Sequence, residues 1–130
     1  MVHRRAHSAA PPEAAWSLLA RPARWHEWAP HIRGAWGLGE PEVRAGARGA
    51  ARLLGAVPVP ATVTRKVDGR SWTWRVGPVD LVHEVRPAAG GCDVVIEMHA
   101  PAPVEAVLER TYGPLVGVLV RRLATVAERG

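Results

Sequence analysis

The sequence predicts an α+β fold in which one antiparallel sheet packs against a long C-terminal helix. The first observation is an amphipathic segment over residues 101–130, where apolar side chains recur at the spacing of one helical face. That face comprises Val104, Val107, Leu108, Thr111, Leu115, Leu119, Leu123 and Val126. The second is the stretch from Ile32 to His99, which consists of short β-type runs separated by turn residues. Because the chain offers no second long helix, the apolar face must be buried on the sheet.

The predicted elements follow the order strand, two short helices, six strands and one long helix. Residues 2–8 alternate weakly and predict the first strand. Residues 10–20 predict a helix with proline in its first turn, and Arg21–Pro22 ends it. Residues 23–28 predict a second, shorter helical turn. The six further strands are predicted at residues 32–38, 47–54, 59–67, 71–76, 79–86 and 92–99.

Gly113–Pro114 interrupts the otherwise continuous helical pattern of the C-terminal segment. Proline removes a backbone donor and collides with the preceding turn, so we expect the helix to bend or break at this pair. A bent helix over a curved sheet leaves space between the two. We therefore expect a cavity whose mouth or widest part lies beside the break, next to Tyr112.

The composition is that of one globular domain spanning residues 1–130, with 48% hydrophobic residues. Cys92 is the only cysteine, so a disulfide framework is excluded. The longest uncharged apolar run, residues 113–120, is too short to cross a bilayer. The N-terminal segment does not read as a secretory signal. We expect a cytoplasmic protein without stable membrane insertion.

The formal net charge of +5 raises the question of nucleic-acid binding. Of the 17 basic residues, 16 are arginine and only Lys66 is lysine, and the arginines are scattered in runs no longer than two. Together with abundant alanine, glycine and proline, this bias is what a GC-rich genome imposes without selection for binding. We therefore predict no nucleic-acid partner, and a monomer or a homodimer.

Residues 11–30, PPEAAWSLLARPARWHEWAP, resemble the opening of the START/Bet v 1-like (SRPBCC) superfamily. The later WTWRV and VRPAAGGCDVVIEMHA segments and the terminal helix fit the same pattern, so the resemblance covers nearly the whole chain. Within this superfamily, the chain is most similar to the branch of bacterial polyketide cyclase/dehydrase and lipid-transport proteins. The resemblance implies a helix-grip fold, in which a seven-stranded antiparallel sheet wraps around the long helix. It also implies a cavity between them for an apolar or aromatic ligand.

Six tryptophans and no phenylalanine make an unusual aromatic balance. Strand alternation places Trp72, Trp74 and Val76 on one face of their strand. Such large side chains either fill a small core or line the cavity and stack on a flat ligand. We predict that the ligand contacts Trp28, Trp36, Trp74, Leu81, Thr111 and Leu115.

Two polar residues lie on rows that alternation otherwise makes apolar. Arg65 lies in the row over residues 59–67, where it must reach an edge, an acid or a ligand, because an unpaired buried charge is costly. His83 lies in the row over residues 79–85 and is either a proton-transfer group or a hydrogen-bonded core histidine. The hydroxyl of Tyr112 either donates a proton in the cavity or caps a strand carbonyl. We predict these three as catalytic candidates.

No histidine, cysteine or carboxylate spacing demands a metal, and no phosphate- or dinucleotide-binding motif occurs, so we expect neither metal nor cofactor. The predicted function is binding of an apolar or aromatic small molecule, with template-like polyketide cyclase or dehydratase chemistry in natural-product biosynthesis. Arg65 or Lys66 would stabilise enolate charge, and His83 or Tyr112 would move a proton. The alternative is a non-catalytic carrier or sensor of a lipid, quinone or other hydrophobic metabolite. A third reading is a partner-binding domain whose cavity is incidental.

Overall fold

The computed structural model describes residues 1–53 and 57–129 as one sheet with helices packed on its concave face. The strands are β1 (Val2–Ser8), β2 (Ile32–Trp36), β3 (Arg48–Leu53), β4 (Val57–Val67), β5 (Ser71–Val76), β6 (Val79–Ala88) and β7 (Gly91–His99). The helices are α1 (Pro12–Ala20), a 3₁₀ helix (Pro22–Glu27), α2 (Ala102–Arg110) and α3 (Tyr112–Glu128).

The sheet has seven strands in the order β1-β7-β6-β5-β4-β3-β2, and every neighbouring pair is antiparallel. The last six strands form a meander in chain order, and β1 completes the sheet beside β7. The predicted α+β helix-grip architecture is therefore confirmed. Period-two alternation and glycine-containing turns located most strands to within a few residues.

Helix α3 packs across β1 and β7 and against α1. Its buried face comprises Gly113, Val116, Gly117, Leu119, Val120, Leu123, Ala124 and Ala127. A polar contact supports this packing, because the buried Ser8 hydroxyl donates to the Ala124 carbonyl at 2.8 Å. The start of α3 lies against β1 at Gly113, where a Cβ would make an ordinary 3.5 Å contact with Val2 and come closest to the flexible end of the Arg4 side chain.

The C-terminal segment breaks at Thr111, not at Gly113–Pro114 as predicted. Pro114 is the third residue of α3, where backbone N–H groups have no acceptor within the helix, so its missing donor costs nothing there. Its ring would collide with the Arg110 carbonyl in a continuous helix, which is why α2 ends at that residue. The break also changes the helical phase. Val107 and Leu115, predicted on the buried face, are therefore 60% and 40% exposed.

Strand β4 contains a register irregularity that overturns the predicted position of Arg65. Val63 pairs with Trp74, but Arg65 pairs with the next residue of β5, Thr73, so one extra residue is inserted in β4. Beyond this bulge the alternation reverses, and Arg65 is exposed on the outside of the sheet. Val67 follows it there and is 51% exposed.

Three indole N–H groups attach the end of α1 to the rest of the core. Trp28 Nε1 donates to the Leu18 carbonyl at 2.8 Å, and the Nε1 atoms of Trp25 and Trp72 both donate to the Leu19 carbonyl. The last carbonyls of a helix lack intrahelical partners, and Pro22, four residues after Leu18, has no N–H to offer. These tryptophans therefore satisfy the C-terminus of α1 and hold the 3₁₀ helix on the sheet.

Candidate ligand cavity

The inner face of the sheet borders a half-open apolar cavity of about 230 Å³ beneath the junction of α2 and α3. Five strands of the meander, together with the start of β2, supply most of its wall, and the two helices close it. The lining residues are Ile32, Ala51, Val59, Trp74, Val76, Val79, Leu81, Met98, Leu108 and Tyr112. Among them only the Tyr112 hydroxyl and the Trp74 indole N–H are polar side-chain groups. We refer to this space as the apolar cavity.

A second, smaller space of about 40 Å³ lies deeper in the core, and we call it the inner cavity. It shares four wall residues with the apolar cavity: Ile32, Trp74, Leu81 and Tyr112. Its remaining wall brings together aromatic and apolar side chains with two histidines, namely Trp25, Trp28, Ala29, His31, Trp72, His83, Ile96, Val116 and Leu119. This volume admits water or a single small group, but no ring.

A third, open space of about 960 Å³ lies on the surface beside the 3₁₀ helix and β2, and we call it the outer cleft. Its wall includes Trp36, His26 and Arg44. Ile32 lines the outer cleft, the apolar cavity and the inner cavity alike. This one side chain therefore borders all three spaces.

His83 is fully enclosed in the wall of the inner cavity. Its ring stacks on Trp72 with centroids 3.9 Å apart, and its Nδ1 lies 3.3 Å from the Trp72 carbonyl oxygen. Burial disfavours the charged imidazolium and lowers the pKa of His83 to about 4, although the hydrogen bond to Trp72 opposes this. His83 is therefore a neutral imidazole at neutral pH, and its aromatic surroundings hold it in one orientation.

Tyr112 begins α3 and, like the Trp74 indole, contributes a polar group to the walls of both interior cavities. Its hydroxyl lies 3.2 Å from Nε2 of His31, which precedes β2. Burial raises the pKa of Tyr112 and lowers the pKa of His31, so both are neutral at neutral pH. The pairing of His31 with Tyr112 was not predicted from the sequence, because 81 residues separate the two.

The structure brings together five of the nine predicted site residues around the two interior cavities: His83, Tyr112, Trp28, Trp74 and Leu81. The other four lie elsewhere. Arg65 and Thr111 are exposed, and Leu115 is 40% exposed on the outer face of α3. Trp36 is 48% exposed in the outer cleft, where the guanidinium of Arg52 lies 5.7 Å from its ring centroid.

Lys66, the other cation considered for enolate stabilisation, is engaged at the sheet edge. Its ammonium lies 3.0 Å from a Glu42 carboxylate oxygen and 3.2 Å from one of Asp68. Glu42 also accepts a hydrogen bond from the Trp16 indole. Neither Lys66 nor Arg65 lines the interior cavities within the described part of the chain.

In residues 1–53 and 57–129, no three histidine, cysteine or carboxylate side chains cluster closely enough to hold a metal ion. Over those same ranges, no helix combines the length and apolar character needed to cross a bilayer. The side chains that line the two interior cavities are neutral hydrogen-bonding groups, aromatic rings and aliphatic groups.

The family model for polyketide cyclase / dehydrase and lipid transport matches residues 1–128. The chain belongs to this family. The resemblance seen in the sequence is thereby confirmed. No curated protein matches the chain in sequence.

Solved structures with the same fold include two structural-genomics proteins that cover this family member almost completely. Protein NE0264 from Nitrosomonas europaea is 16% identical, with 98% of this chain and 93% of that chain covered and a TM-score of 0.77. Protein MLL2253 from Mesorhizobium loti is 14% identical, with 98% and 96% covered and a TM-score of 0.78. At this level of identity the likeness shows the fold alone.

DynU16, described as a putative protein in the dynemicin biosynthetic locus, is 18% identical with a TM-score of 0.71. It covers 95% of this family member, which in turn spans 47% of the DynU16 chain. At this identity the comparison again shows only a shared fold. The biosynthetic locus is a property of DynU16.

Proposed function

We propose that this protein binds a compact, flat, apolar or aromatic molecule in the apolar cavity. The observation that carries the proposal is the cavity itself, a half-open space of about 230 Å³ with an almost entirely hydrocarbon and indole lining. Ligand sites in proteins are typically concave, mostly apolar pockets with a few polar groups, and this pocket at the sheet–helix junction has that character. The family description, which joins cyclases with lipid transport, supports the same class of ligand.

The volume limits the ligand. It lies below the ~300–1,000 Å³ typical of pockets for drug-sized molecules, so two or three fused rings fit better than an extended polyketide chain or a full-length acyl chain. Trp74 borders both interior cavities and offers an aromatic face for stacking. The neutral state of His83, His31 and Tyr112 favours a ligand without net charge.

A role as carrier or sensor agrees best with this lining. The cations considered for enolate stabilisation, Arg65 and Lys66, lie outside the cavities. Catalysis as a cyclase or dehydratase is a second candidate function. It is favoured by one observation, that His83 and Tyr112, an imidazole and a phenol, line the same inner cavity.

Calorimetric titration with naphthalene and with palmitate tests the binding proposal, with tryptophan emission as a second signal. We expect naphthalene to bind and palmitate to bind weakly or not at all. The variant Ala51→Leu, which places a larger side chain in the wall of the apolar cavity, should abolish naphthalene binding. Ala106→Leu makes the same change on the exposed side of α2 and should bind like the wild type. Folded wild-type protein that binds neither compound would overturn the proposal.

A further inference from the structure

The wall of the inner cavity, a space of about 40 Å³, carries the polar side chains of His83, Tyr112 and His31. It also carries the indole N–H of Trp74, which has no hydrogen-bond partner among the described residues. The other indoles of the wall donate to backbone carbonyls. Buried polar groups in proteins are nearly always hydrogen-bonded, so a group with unused capacity beside a cavity indicates what the cavity takes. The hydrogen-bonding capacity of each group follows from its neighbours.

The Trp72 carbonyl fixes the tautomer of His83. A carbonyl oxygen only accepts hydrogen bonds, and it lies 3.3 Å from His83 Nδ1, so Nδ1 carries the proton. In a neutral imidazole the other nitrogen, Nε2, then carries a lone pair and acts only as an acceptor. No hydrogen-bond donor within the described ranges reaches His83 Nε2.

The hydroxyl of Tyr112 has the opposite capacity. His31 Nε2 lies 3.2 Å from it, while His31 Nδ1 is buried and lacks a partner in the described structure. A buried N–H without an acceptor is rarer than a buried lone pair without a donor. The Nδ1 atom of His31 is therefore unprotonated, and the Nε2–H group donates to Tyr112 Oη. The proton of the Tyr112 hydroxyl therefore remains available to a ligand.

We propose that the inner cavity is a hydroxyl subsite: a phenol or enol O–H of the ligand donates to His83 Nε2 and accepts a hydrogen bond from the Tyr112 hydroxyl. This inference rests on the proposed function, because the ring that bears the hydroxyl occupies the adjoining apolar cavity. The two cavities share Ile32, Trp74, Leu81 and Tyr112, which places a ring and its substituent side by side. A hydroxyl supplies both the donor and the acceptor that the subsite lacks.

The subsite should discriminate against close analogues. A methyl ether lacks the donor for His83 and adds a methyl group to a space of about 40 Å³, and a ketone lacks the donor altogether. A purely apolar cavity would instead favour the ether, which is the more hydrophobic molecule. His31 acts here as a positioning residue, since its hydrogen bond leaves the Tyr112 proton directed into the cavity.

The test compares naphthalene, 2-naphthol and 2-methoxynaphthalene by calorimetric titration of the wild type and of Tyr112→Phe. We expect 2-naphthol to bind at least about tenfold more tightly than the ether, the size of one or two hydrogen bonds to a buried polar group. Tyr112→Phe should reduce this preference several-fold while naphthalene affinity stays within about twofold. Thr111→Val, an exposed neighbour outside both cavities, is the matched control and should keep the full preference.

A measurement without mutation tests the tautomer directly. Nitrogen-15 NMR of the imidazole groups should show His83 protonated at Nδ1 in the free protein, and 2-naphthol should shift its Nε2 resonance but naphthalene should not. His83 protonated at Nε2, or equal affinity for naphthol and ether, would overturn the subsite while leaving the proposed function intact. If none of the three compounds binds folded protein, the proposed function fails and the subsite fails with it.

Discussion

The imidazole of His83 lies parallel to the indole of Trp72, with ring centroids 3.9 Å apart and planes inclined by 8°. The two residues face each other across β5 and β6, so the sheet register produces the stack. On its other side Trp72 stacks on Trp25 with centroids 5.5 Å apart, and Trp74 meets Trp72, Trp25 and His83 edge-on. A titratable group is thereby fixed inside an aromatic cluster.

The first prediction follows from this burial and concerns pH. The pKa of His83 is about 4 in the folded protein and near 6.5 when exposed, so below about pH 6.5 the unfolded state takes up a proton that the folded state does not. His83 leaves the free energy of unfolding unchanged above about pH 6.5. As the pH decreases from 6.5 towards 4, it lowers the free energy of unfolding by up to roughly 3 kcal/mol, at 1.36 kcal/mol per pH unit. Urea unfolding at a series of pH values measures the slope.

His83→Phe, which keeps an aromatic ring beside Trp72, is the comparison for this measurement. Its stability should depend less on pH between 6.5 and 4, and the difference between the two curves isolates His83 from other groups. A residual slope of the same sign is expected from His31, whose pKa burial also lowers. Parallel curves for the wild type and the variant would contradict the prediction.

Sequence patterns predicted the strands well because a half-buried strand must alternate, and this alternation places His83, Trp72 and Trp74 on the inner face. The same rule failed at Arg65, where the bulge in β4 inserts one residue and reverses the alternation beyond it. Nothing in the local composition distinguishes that position from a regular strand. The error therefore lies in the register and not in the existence of the strand.

The helix break illustrates a second limit. Gly113–Pro114 predicted an interruption, but proline excludes helix only on its N-terminal side and is compatible with the first turn of a new one. The break accordingly falls at Thr111. His31 was missed for another reason, because its contact with Tyr112 joins a turn to a distant helix, and no local spacing encodes such a pair.

The second prediction separates structural from functional tryptophans. Trp28→Phe removes the donor to the buried Leu18 carbonyl and should cost about 1–3 kcal/mol for the unpaired group, in addition to the lost packing. Trp74→Phe removes an indole N–H that makes no hydrogen bond in the described structure, so its cost should be smaller. Urea unfolding of the two variants provides the comparison. A larger loss for Trp74→Phe would indicate that its N–H has a partner.

The third prediction concerns Arg65, which is exposed beyond the bulge of β4. Arg65→Ala should change neither the affinity for 2-naphthol nor, beyond about 0.5 kcal/mol, the free energy of unfolding, as is usual for surface positions. Calorimetry and urea unfolding measure the two quantities. A marked loss of affinity would contradict this prediction. It would indicate that the Arg65 guanidinium contacts the ligand, as the enolate-stabilising role requires.

The last prediction concerns the route by which a ligand reaches the apolar cavity. Ile32 borders both that cavity and the outer cleft, so shortening its side chain should open the separation between surface and interior. In Ile32→Ala the rate constants for association and dissociation of 2-naphthol should both rise several-fold, and the affinity should also fall, because Ile32 lines the cavities that hold the ligand. Val76→Ala is the matched control, since Val76 lines the apolar cavity but not the outer cleft, and it should leave the association rate unchanged. Stopped-flow tryptophan emission measures both rates. Equal association rates for Ile32→Ala and the wild type would show that the ligand enters elsewhere, and the junction of α2 and α3 beside Leu108 would then be the route to test.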